Sequence, residues 1–106
     1  MAPEPQTILV VDDVPLERFL LVEYLRERGF DALPAASGEE AISTLKSGQP
    51  VDIVLSDVHL DGKLDGFALA RWVRDHRPAV RTVLGTSRGG MAREAAAICA
   101  GAGSPG

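Results

Sequence analysis

Three aspartates follow two largely hydrophobic runs of the chain. The pair Asp12–Asp13 comes after the run 8–11, and Asp57 comes after the run 51–56. If these runs form neighbouring parallel strands, the three carboxylates meet at one edge of a sheet. Negative charges held that close repel one another and favour a divalent cation, which takes oxygen ligands. The sequence therefore predicts a cation site at this edge.

The elements that must position these acids alternate along the chain. Strands are predicted over 7–11, 30–35, 51–56 and 80–84, and helices over 16–28, from 37 to before 48, from 65 or 66 to before 78, and over 91–100. Pro15 suits the first turn of a helix and Gly29 its end. Ser37 with Glu40 is a capping box. Residues 1–6 are expected to be irregular and 101–106 loop-like, so that 1–106 form a single domain.

Strict alternation of strands and helices predicts an α/β fold with a parallel sheet and helices on both faces. Right-handed crossovers leave few topologies. In the flavodoxin-like order the first and third strands are neighbours, and ligands bind beyond the carboxyl ends of the strands there. Thr86, which follows the fourth strand, is expected at the same edge as the aspartates. Pro34 predicts that the second strand is an edge strand, which has a neighbouring strand on one side only.

Composition excludes several classes of protein. With 106 residues, 45% hydrophobic, 25% charged and a net charge of −4, the chain has an ordinary globular composition without a basic stripe for nucleic acid. No apolar run approaches the roughly 20 residues that span a membrane. The N-terminal segment, with an acid and two prolines, is not a signal peptide, so a cytoplasmic location is expected. Cys99 is the single cysteine of the sequence, so an internal disulfide is excluded.

Other residues that could carry chemistry have ordinary interpretations. His59 and His76 lack partners at metal-ligand spacing, and their side chains are expected at the surface. Cys99, in an alanine-rich stretch, is expected to be a small buried hydrophobe. Phe67 and Trp72 stand at helical spacing and are expected in the core.

The chain resembles the receiver domain of two-component response regulators. The resemblance rests on the pair Asp12–Asp13, Asp57, the pair Asp65–Gly66, Thr86 with the small Ser87, and the segment 100–102. These residues keep the order and spacing of the family over almost the whole chain. The resemblance implies a flavodoxin-like, doubly wound parallel sheet of strand order 2-1-3-4, in which the fifth strand and fifth helix of the family are missing.

The resemblance also implies a function. Asp57 would accept a phosphoryl group from a phosphohistidine of a sensor histidine kinase or phosphotransfer protein. Asp12, Asp13, Asp57 and the backbone carbonyl of His59 would hold Mg²⁺. Thr86 would be the switch hydroxyl, and Ser87 would leave the site open to the phosphodonor. A downstream protein partner is implied, and the chain would catalyse only its own phosphorylation and dephosphorylation, without acting as a turnover enzyme.

Departures from the family pattern keep other functions open. The chain ends at Gly106, where the fifth strand and its lysine are expected, so phosphorylation is expected to be impaired. The first alternative is a phosphorylation-deficient pseudo-receiver that acts as a protein-interaction adaptor. The second is a Mg²⁺ phosphohydrolase with His59 as general acid, which the lack of a substrate-capping domain disfavours.

The missing elements predict an exposed surface. The family places its first and fifth helices on one face of the sheet, so the first helix is expected to cover that face alone. Its apolar residues between Leu16 and Leu25, and the edge of the fourth strand, would then be open to a partner or to a second copy in a homodimer.

Overall fold

The computed structural model describes residues 4–86 and 89–102. Its strands are β1 (Thr7–Val11), β2 (Asp31–Ala35), β3 (Ile53–Asp57) and β4 (Arg81–Gly85). Its helices are α1 (Pro15–Glu27), α2 (Gly38–Lys46), α3 (Gly66–His76) and α4 (Gly90–Ala102). The predicted alternation of strands and helices is confirmed, with ends that differ by one or two residues.

The four strands form one parallel sheet of order β2-β1-β3-β4. The predicted fold class, a flavodoxin-like doubly wound sheet of order 2-1-3-4, is therefore confirmed. Pro34 lies in the edge strand β2, where a residue without an N–H removes no hydrogen bond from the interior of the sheet. The other edge is β4. The central strands are buried over nearly their whole length, as their continuous apolar sequence requires.

Each face of the sheet has its own hydrophobic core. Helices α2 and α3 cover one face, where Leu45 and Leu69 pack with Leu9 and Val54. The opposite core gathers side chains of the sheet with side chains of α1 and α4. Its members from the helices are Leu21, Val22, Leu25, Met91, Ala95 and Ile98. The side chains of successive residues of β1 thus pack into opposite cores, because side chains alternate across a strand.

The prediction that the first helix covers its face alone is wrong. Helix α4 lies beside α1 on that face, and Met91, Ala95 and Ile98 form the stripe that it buries there. The spacing of four and three residues puts these side chains on one side of a helix, and the alanine permits close approach to the sheet. Part of the apolar surface of α1 still stays open. Its exposed members are Leu16 (67% exposed), Phe19 (60%) and Leu20 (56%).

Two further local predictions are wrong. Helix α4 continues through Gly101 and Ala102, so the expected loop-like tail does not begin at 101. Alanine has the highest intrinsic helix propensity, which explains why the alanine-rich sequence carries the helix further. Residues 103–106 lie outside the described part of the chain. Phe67 is 59% exposed, because α3 buries the stripe of Gly66, Leu69 and Val73, and Phe67 points away from it. None of the helices between residues 4 and 102, leaving aside 87–88, has the length and apolar character to cross a membrane.

Candidate functional site

The carboxyl ends of β1 and β3 bring Asp12 and Asp57 together. Val11 is the register partner of Ser56, and each aspartate is the next residue along its strand. Carboxylate oxygens of Asp12, Asp57 and Glu17 all lie within 4.8 Å of one another. The predicted convergence of acids distant in the sequence is thus confirmed for Asp12 and Asp57. We call these three residues the acidic cluster.

Asp12 is the most enclosed member of the cluster, with none of its surface exposed. Its Oδ1 accepts a hydrogen bond from the N–H of Val14 at 2.9 Å, and its buried Oδ2 has no hydrogen-bond partner among the described residues. The guanidinium of Arg18 donates to the backbone carbonyl of Asp12 at 2.7 Å. A buried carboxylate oxygen without a donor is costly, so this group needs a proton or a cation.

Burial raises the pKa of Asp12 to about 7. A hydrogen bond with the Glu17 carboxyl and the negative charges of Glu17 and Asp57 act in the same direction, while the Val14 N–H opposes them. Two carboxyl groups can share a hydrogen bond only when one of them holds a proton. Oδ2 of Asp12 is therefore satisfied in the protonated form and left without a partner in the ionised form.

This raised pKa predicts how the stability of the metal-free protein depends on pH. A carboxyl with a folded-state pKa above its unfolded value stabilises the fold below the unfolded pKa, and that contribution is lost as the pH rises through about 7. We expect the melting temperature in a chelating buffer to rise by several degrees when the pH is lowered from about 8 to about 5.5. The Asp12→Asn variant should lose most of that dependence, and an equal dependence in both proteins would contradict the assignment to Asp12.

Asp57 is held at the rim of the cluster, with 7% of its surface exposed. Its Oδ1 accepts a hydrogen bond from the backbone N–H of His59 at 2.9 Å, and Ser56 Oγ donates to the backbone carbonyl of Asp57. The first bond orients the carboxylate from within its own loop. The side chain is thus held in one orientation while a small part of its surface stays exposed.

The start of α3 presses against the end of β3. The N–H of Gly66 donates to the carbonyl of Val58 at 2.9 Å, and a Cβ at position 66 would lie 2.8 Å from the Cα of Val58. Asp65 caps the helix by accepting a hydrogen bond from the N–H of Ala68 at 2.8 Å. The pair Asp65–Gly66 thus begins α3 while letting its backbone approach the residue after Asp57.

Asp13 has a different environment from Asp12 and is not part of the acidic cluster. It is half-buried, and its Oδ2 accepts a hydrogen bond from the backbone N–H of Asp61 at 2.8 Å. This bond ties the loop between β3 and α3 to the end of β1. The roles of Asp13 and of the His59 carbonyl as Mg²⁺ ligands stay predictions, and the His59 side chain is exposed as expected.

Thr86 lies at the predicted edge of the sheet. It directly follows Gly85, which is the register partner of Asp57 on β4. The side chain is exposed, and its Oγ1 stands 2.8 Å from where a Cβ at Gly90 would be. Glycine at the first residue of α4 thus leaves room for the Thr86 hydroxyl. Ser87 and Arg88 lie outside the described residues.

Glu17 is the member of the cluster that the sequence analysis did not single out. Helix α1 begins at Pro15, directly after the acidic pair, and Glu17 is in its first turn. Helical side chains point back toward the N-terminus, so an acid in the first turn reaches the end of the preceding strand. The combination of an acidic strand end, a helix start and an acid in the first turn of that helix is the signal that could have identified it.

The fold and this site define the class of the protein, and comparison with known proteins agrees. The model of the response regulator receiver domain family matches residues 8–104, and the chain belongs to this family. The transcriptional regulatory protein AruR of Pseudomonas aeruginosa is 46% identical over 92 residues, which are 83% of this chain and 36% of AruR. The sensor histidine kinase RcsC of Salmonella typhimurium is 42% identical over 67 residues, which are 63% of this chain and 7% of RcsC. The chain thus spans about a third or less of these relatives.

Solved structures support the same conclusion. A response regulator receiver protein from Pseudomonas putida superimposes with a TM-score of 0.73 at 27% identity, covering 93% of this chain and 82% of the other. The response regulator TrrA of Thermotoga maritima, solved in complex with Mg²⁺ and BeF, has a TM-score of 0.72 at 32% identity, covering 89% of this chain and 80% of the other. A complex of the histidine kinase ThkA with TrrA matches at a TM-score of 0.71 and 36% identity, covering 77% of this chain and 69% of the other.

Proposed function

We propose that the chain is the phosphoacceptor receiver of a two-component phosphorelay, with Asp57 as the residue that is modified. The observation that carries this proposal is the position of Asp57 beside the buried, partnerless carboxylate oxygen of Asp12. A carboxylate nucleophile is useful only where its charge and that of the phosphoryl group are compensated. The acidic cluster is suited to holding the compensating cation.

The proposed reaction is a simple displacement at phosphorus. A carboxylate oxygen of Asp57 forms a bond to phosphorus while the bond from phosphorus to the donor nitrogen of a phosphohistidine breaks. The nitrogen leaves with the electron pair of that bond, and the imidazole takes up a proton. The hydrogen bond from the His59 N–H would keep the Asp57 carboxylate in one orientation during attack, and the Thr86 hydroxyl, which follows the register partner of Asp57, would donate to a phosphoryl oxygen.

The residues present fit Mg²⁺ as the cofactor. The donor set is composed of carboxylate oxygens, which a hard cation prefers, and the Asp12 oxygen has no competing protein donor among the described residues. Asp12 and Asp57 would hold the ion, with Asp13 and the His59 carbonyl as further ligands. When bound, Mg²⁺ neutralises the carboxylates and the oxygens of the transferring phosphoryl group. The protein supplies the fixed position of Asp57 and the exclusion of water around Asp12.

The proposed partners follow from the reaction and from the relatives. A sensor histidine kinase or phosphotransfer protein would be the donor, in keeping with the ThkA–TrrA complex, and a further protein would receive the signal. We propose a cytoplasmic location, no direct binding to nucleic acid or membrane, and no turnover of a separate substrate. The chain would catalyse only its own phosphorylation and dephosphorylation.

The test uses a small phosphodonor, Mg²⁺ and intact-mass analysis. Wild type should gain the mass of one phosphoryl group, and Asp57→Asn should gain none. Leaving out Mg²⁺ should abolish the gain in the wild type. No gain in any sample would instead favour the adaptor, and sustained release of phosphate from a phosphomonoester would favour the phosphohydrolase.

Self-association is a separate proposal that rests on the exposed apolar residues of α1. Leu16, Leu20 and Tyr24 line a groove of about 520 Å³ that reaches Gly89, just before α4, and Ala92 in the first turn of α4. Contiguous apolar surface of this kind favours association. We expect the sedimentation coefficient of the wild type to rise with concentration, and Leu16→Ser with Leu20→Ser to remove the rise. A wild-type monomer at the highest concentration would contradict it.

A further inference from the structure

We propose that Glu39, in the first turn of α2, is a positioning residue for phosphoryl transfer to Asp57, because it holds the loop between β3 and α3 (residues 58–65). This loop directly follows Asp57 and carries the His59 N–H, which orients the Asp57 carboxylate. The inference rests on the proposed function and adds to it a residue that lies outside the acidic cluster.

The first observation is the contact of the Glu39 carboxylate with the loop. Its Oε2 accepts a hydrogen bond from the backbone N–H of Lys63 at 3.3 Å, a bond that spans 24 positions of the sequence. Both carboxylate oxygens also lie close to Gly62, since a Cβ placed there would be 3.3 and 3.4 Å from them. The carboxylate therefore faces the backbone of two successive loop residues.

Glycine at position 62 is what this contact requires. The backbone of Gly62 has a φ of +104°, a conformation that residues with a side chain rarely adopt. A side chain at this position would also press against the Glu39 carboxylate. Glycine therefore permits both the turn of the loop and the approach of the acid.

The residue before Glu39 makes a second, independent contact with the loop. Gly38 is buried, and a Cβ at this position would lie 2.9 Å from the Cβ of Leu64 and 3.2 Å from its carbonyl oxygen. The backbone of α2 thus approaches Leu64 more closely than a residue with a side chain would allow. The start of α2 is itself capped, because Ser37 Oγ accepts a hydrogen bond from the N–H of Glu40 at 3.1 Å. Glu39 therefore holds the loop from a well-supported helix end.

The loop is held from two sides. Asp13 at the end of β1 accepts from the N–H of Asp61 at 2.8 Å, and Glu39 accepts from the N–H of Lys63. Each bond has a charged acceptor, which makes it stronger than a bond between neutral groups. One bond alone fixes a single point of the loop, and the second prevents the loop from turning about that point. Loss of the Glu39 bond should therefore be felt at His59, two residues before Asp61.

Glu40 provides a matched control. Both Glu39 and Glu40 lie in the first turn of α2, where an acid interacts favourably with the helix dipole, and both are exposed. Among the described residues, only Glu39 accepts a hydrogen bond from the loop with its side chain. Glu40→Ala thus removes the same charge from the same turn and leaves the loop contact in place.

The test begins with amide hydrogen exchange, followed by NMR, on the metal-free protein. In Glu39→Ala the amides of His59, Asp61 and Lys63 should exchange at least about threefold faster than in the wild type. In Glu40→Ala they should stay within about 1.5-fold of the wild type. All variants should melt within about 4 °C of the wild type, because both side chains are exposed.

The second measurement is the rate of mass gain with a small phosphodonor and Mg²⁺, both saturating. This rate should fall by about three- to tenfold in Glu39→Ala and stay unchanged in Glu40→Ala, because a misplaced loop misdirects the Asp57 carboxylate. Glu39→Gln should restore most of the rate and of the slow exchange, since its amide oxygen can still accept from the Lys63 N–H. A purely structural loss would not be rescued in this selective way.

The outcomes separate this inference from the proposed function. A wild type that gains no phosphoryl group would refute the proposed function and, with it, the role of Glu39. If the wild type is phosphorylated, equal slowing in Glu39→Ala and Glu40→Ala would overturn only the inference, because charge in the helix turn would explain both. Unchanged exchange in Glu39→Ala, faster exchange without slower phosphorylation, or a Glu39→Gln variant as slow as Glu39→Ala would also overturn it.

Discussion

The Asp12→Asn variant is expected to be more stable than the wild type without metal, although it loses function. The asparagine carbonyl can still accept from the Val14 N–H, and its amide can donate to Glu17 or Asp57, where the carboxylate finds only acceptors. Relief of a buried polar atom without a partner is worth about 1 to 3 kcal/mol. We expect a gain of this size at about pH 8, measured by urea denaturation in a chelating buffer. Mg²⁺-dependent phosphorylation should fall below detection in the same protein.

Asp13→Asn is the matched control for that prediction. It makes the same chemical change one residue along, at a half-buried side chain whose oxygen already has a donor. Its free energy of unfolding should stay within about 0.5 kcal/mol of the wild type. A stabilisation of equal size in both variants would indicate a general effect of reduced negative charge, and a destabilised Asp12→Asn would refute our account of Oδ2.

The Gly66→Ala variant is expected to lose both stability and phosphorylation. A methyl group at position 66 would lie 2.8 Å from the Cα of Val58 and would clash with the carbonyl oxygen of Asp57. Both are backbone atoms of the strand end, so neither can rotate away, and α3 must shift. Overpacking of this kind costs about 1 to 3 kcal/mol, and each kcal/mol lowers the melting temperature by about 4 to 8 °C in a domain of this size. Because the displaced backbone carries Asp57, phosphorylation should fall further than the loss of folded protein explains.

Gly101→Ala is the control, and its effect on stability should be opposite to that of Gly66→Ala. Gly101 lies within α4, is exposed, and has nothing within 4 Å of an added Cβ. Replacing a glycine inside a helix by alanine gains about 0.5 to 1 kcal/mol. Differential scanning calorimetry should therefore show a higher melting temperature for Gly101→Ala and a lower one for Gly66→Ala. A mild effect of both substitutions would contradict the close approach of α3 to β3.

The position of helix α4 shows where sequence reasoning stops. The alternation of elements predicted a helix after β4, and the helix is there. Which face of the sheet this helix covers is decided by tertiary packing, and it lies on the face of α1. The stripe of Met91, Ala95 and Ile98 packs on the same face as α1, although the pattern of apolar residues alone would suit either face. The exposure of Phe67 could not be predicted for a similar reason. Helical spacing identifies apolar residues on one side of a helix, but it does not say which of two overlapping stripes packs against the sheet.

The sequence by itself determined that Asp12 and Asp57 would meet. Hydrophobic runs that stop at an acid place each aspartate at a strand end, and parallel strands joined by helices put such ends on one edge. Only the tertiary structure decided which third carboxylate joins them. Asp13 and Glu17 are both near in sequence, and the direction of each side chain depends on where α1 begins and which backbone N–H is within reach. Strand order follows from patterns that extend over many residues, whereas the choice between two neighbouring acids depends on distances of a few ångströms that no pattern encodes.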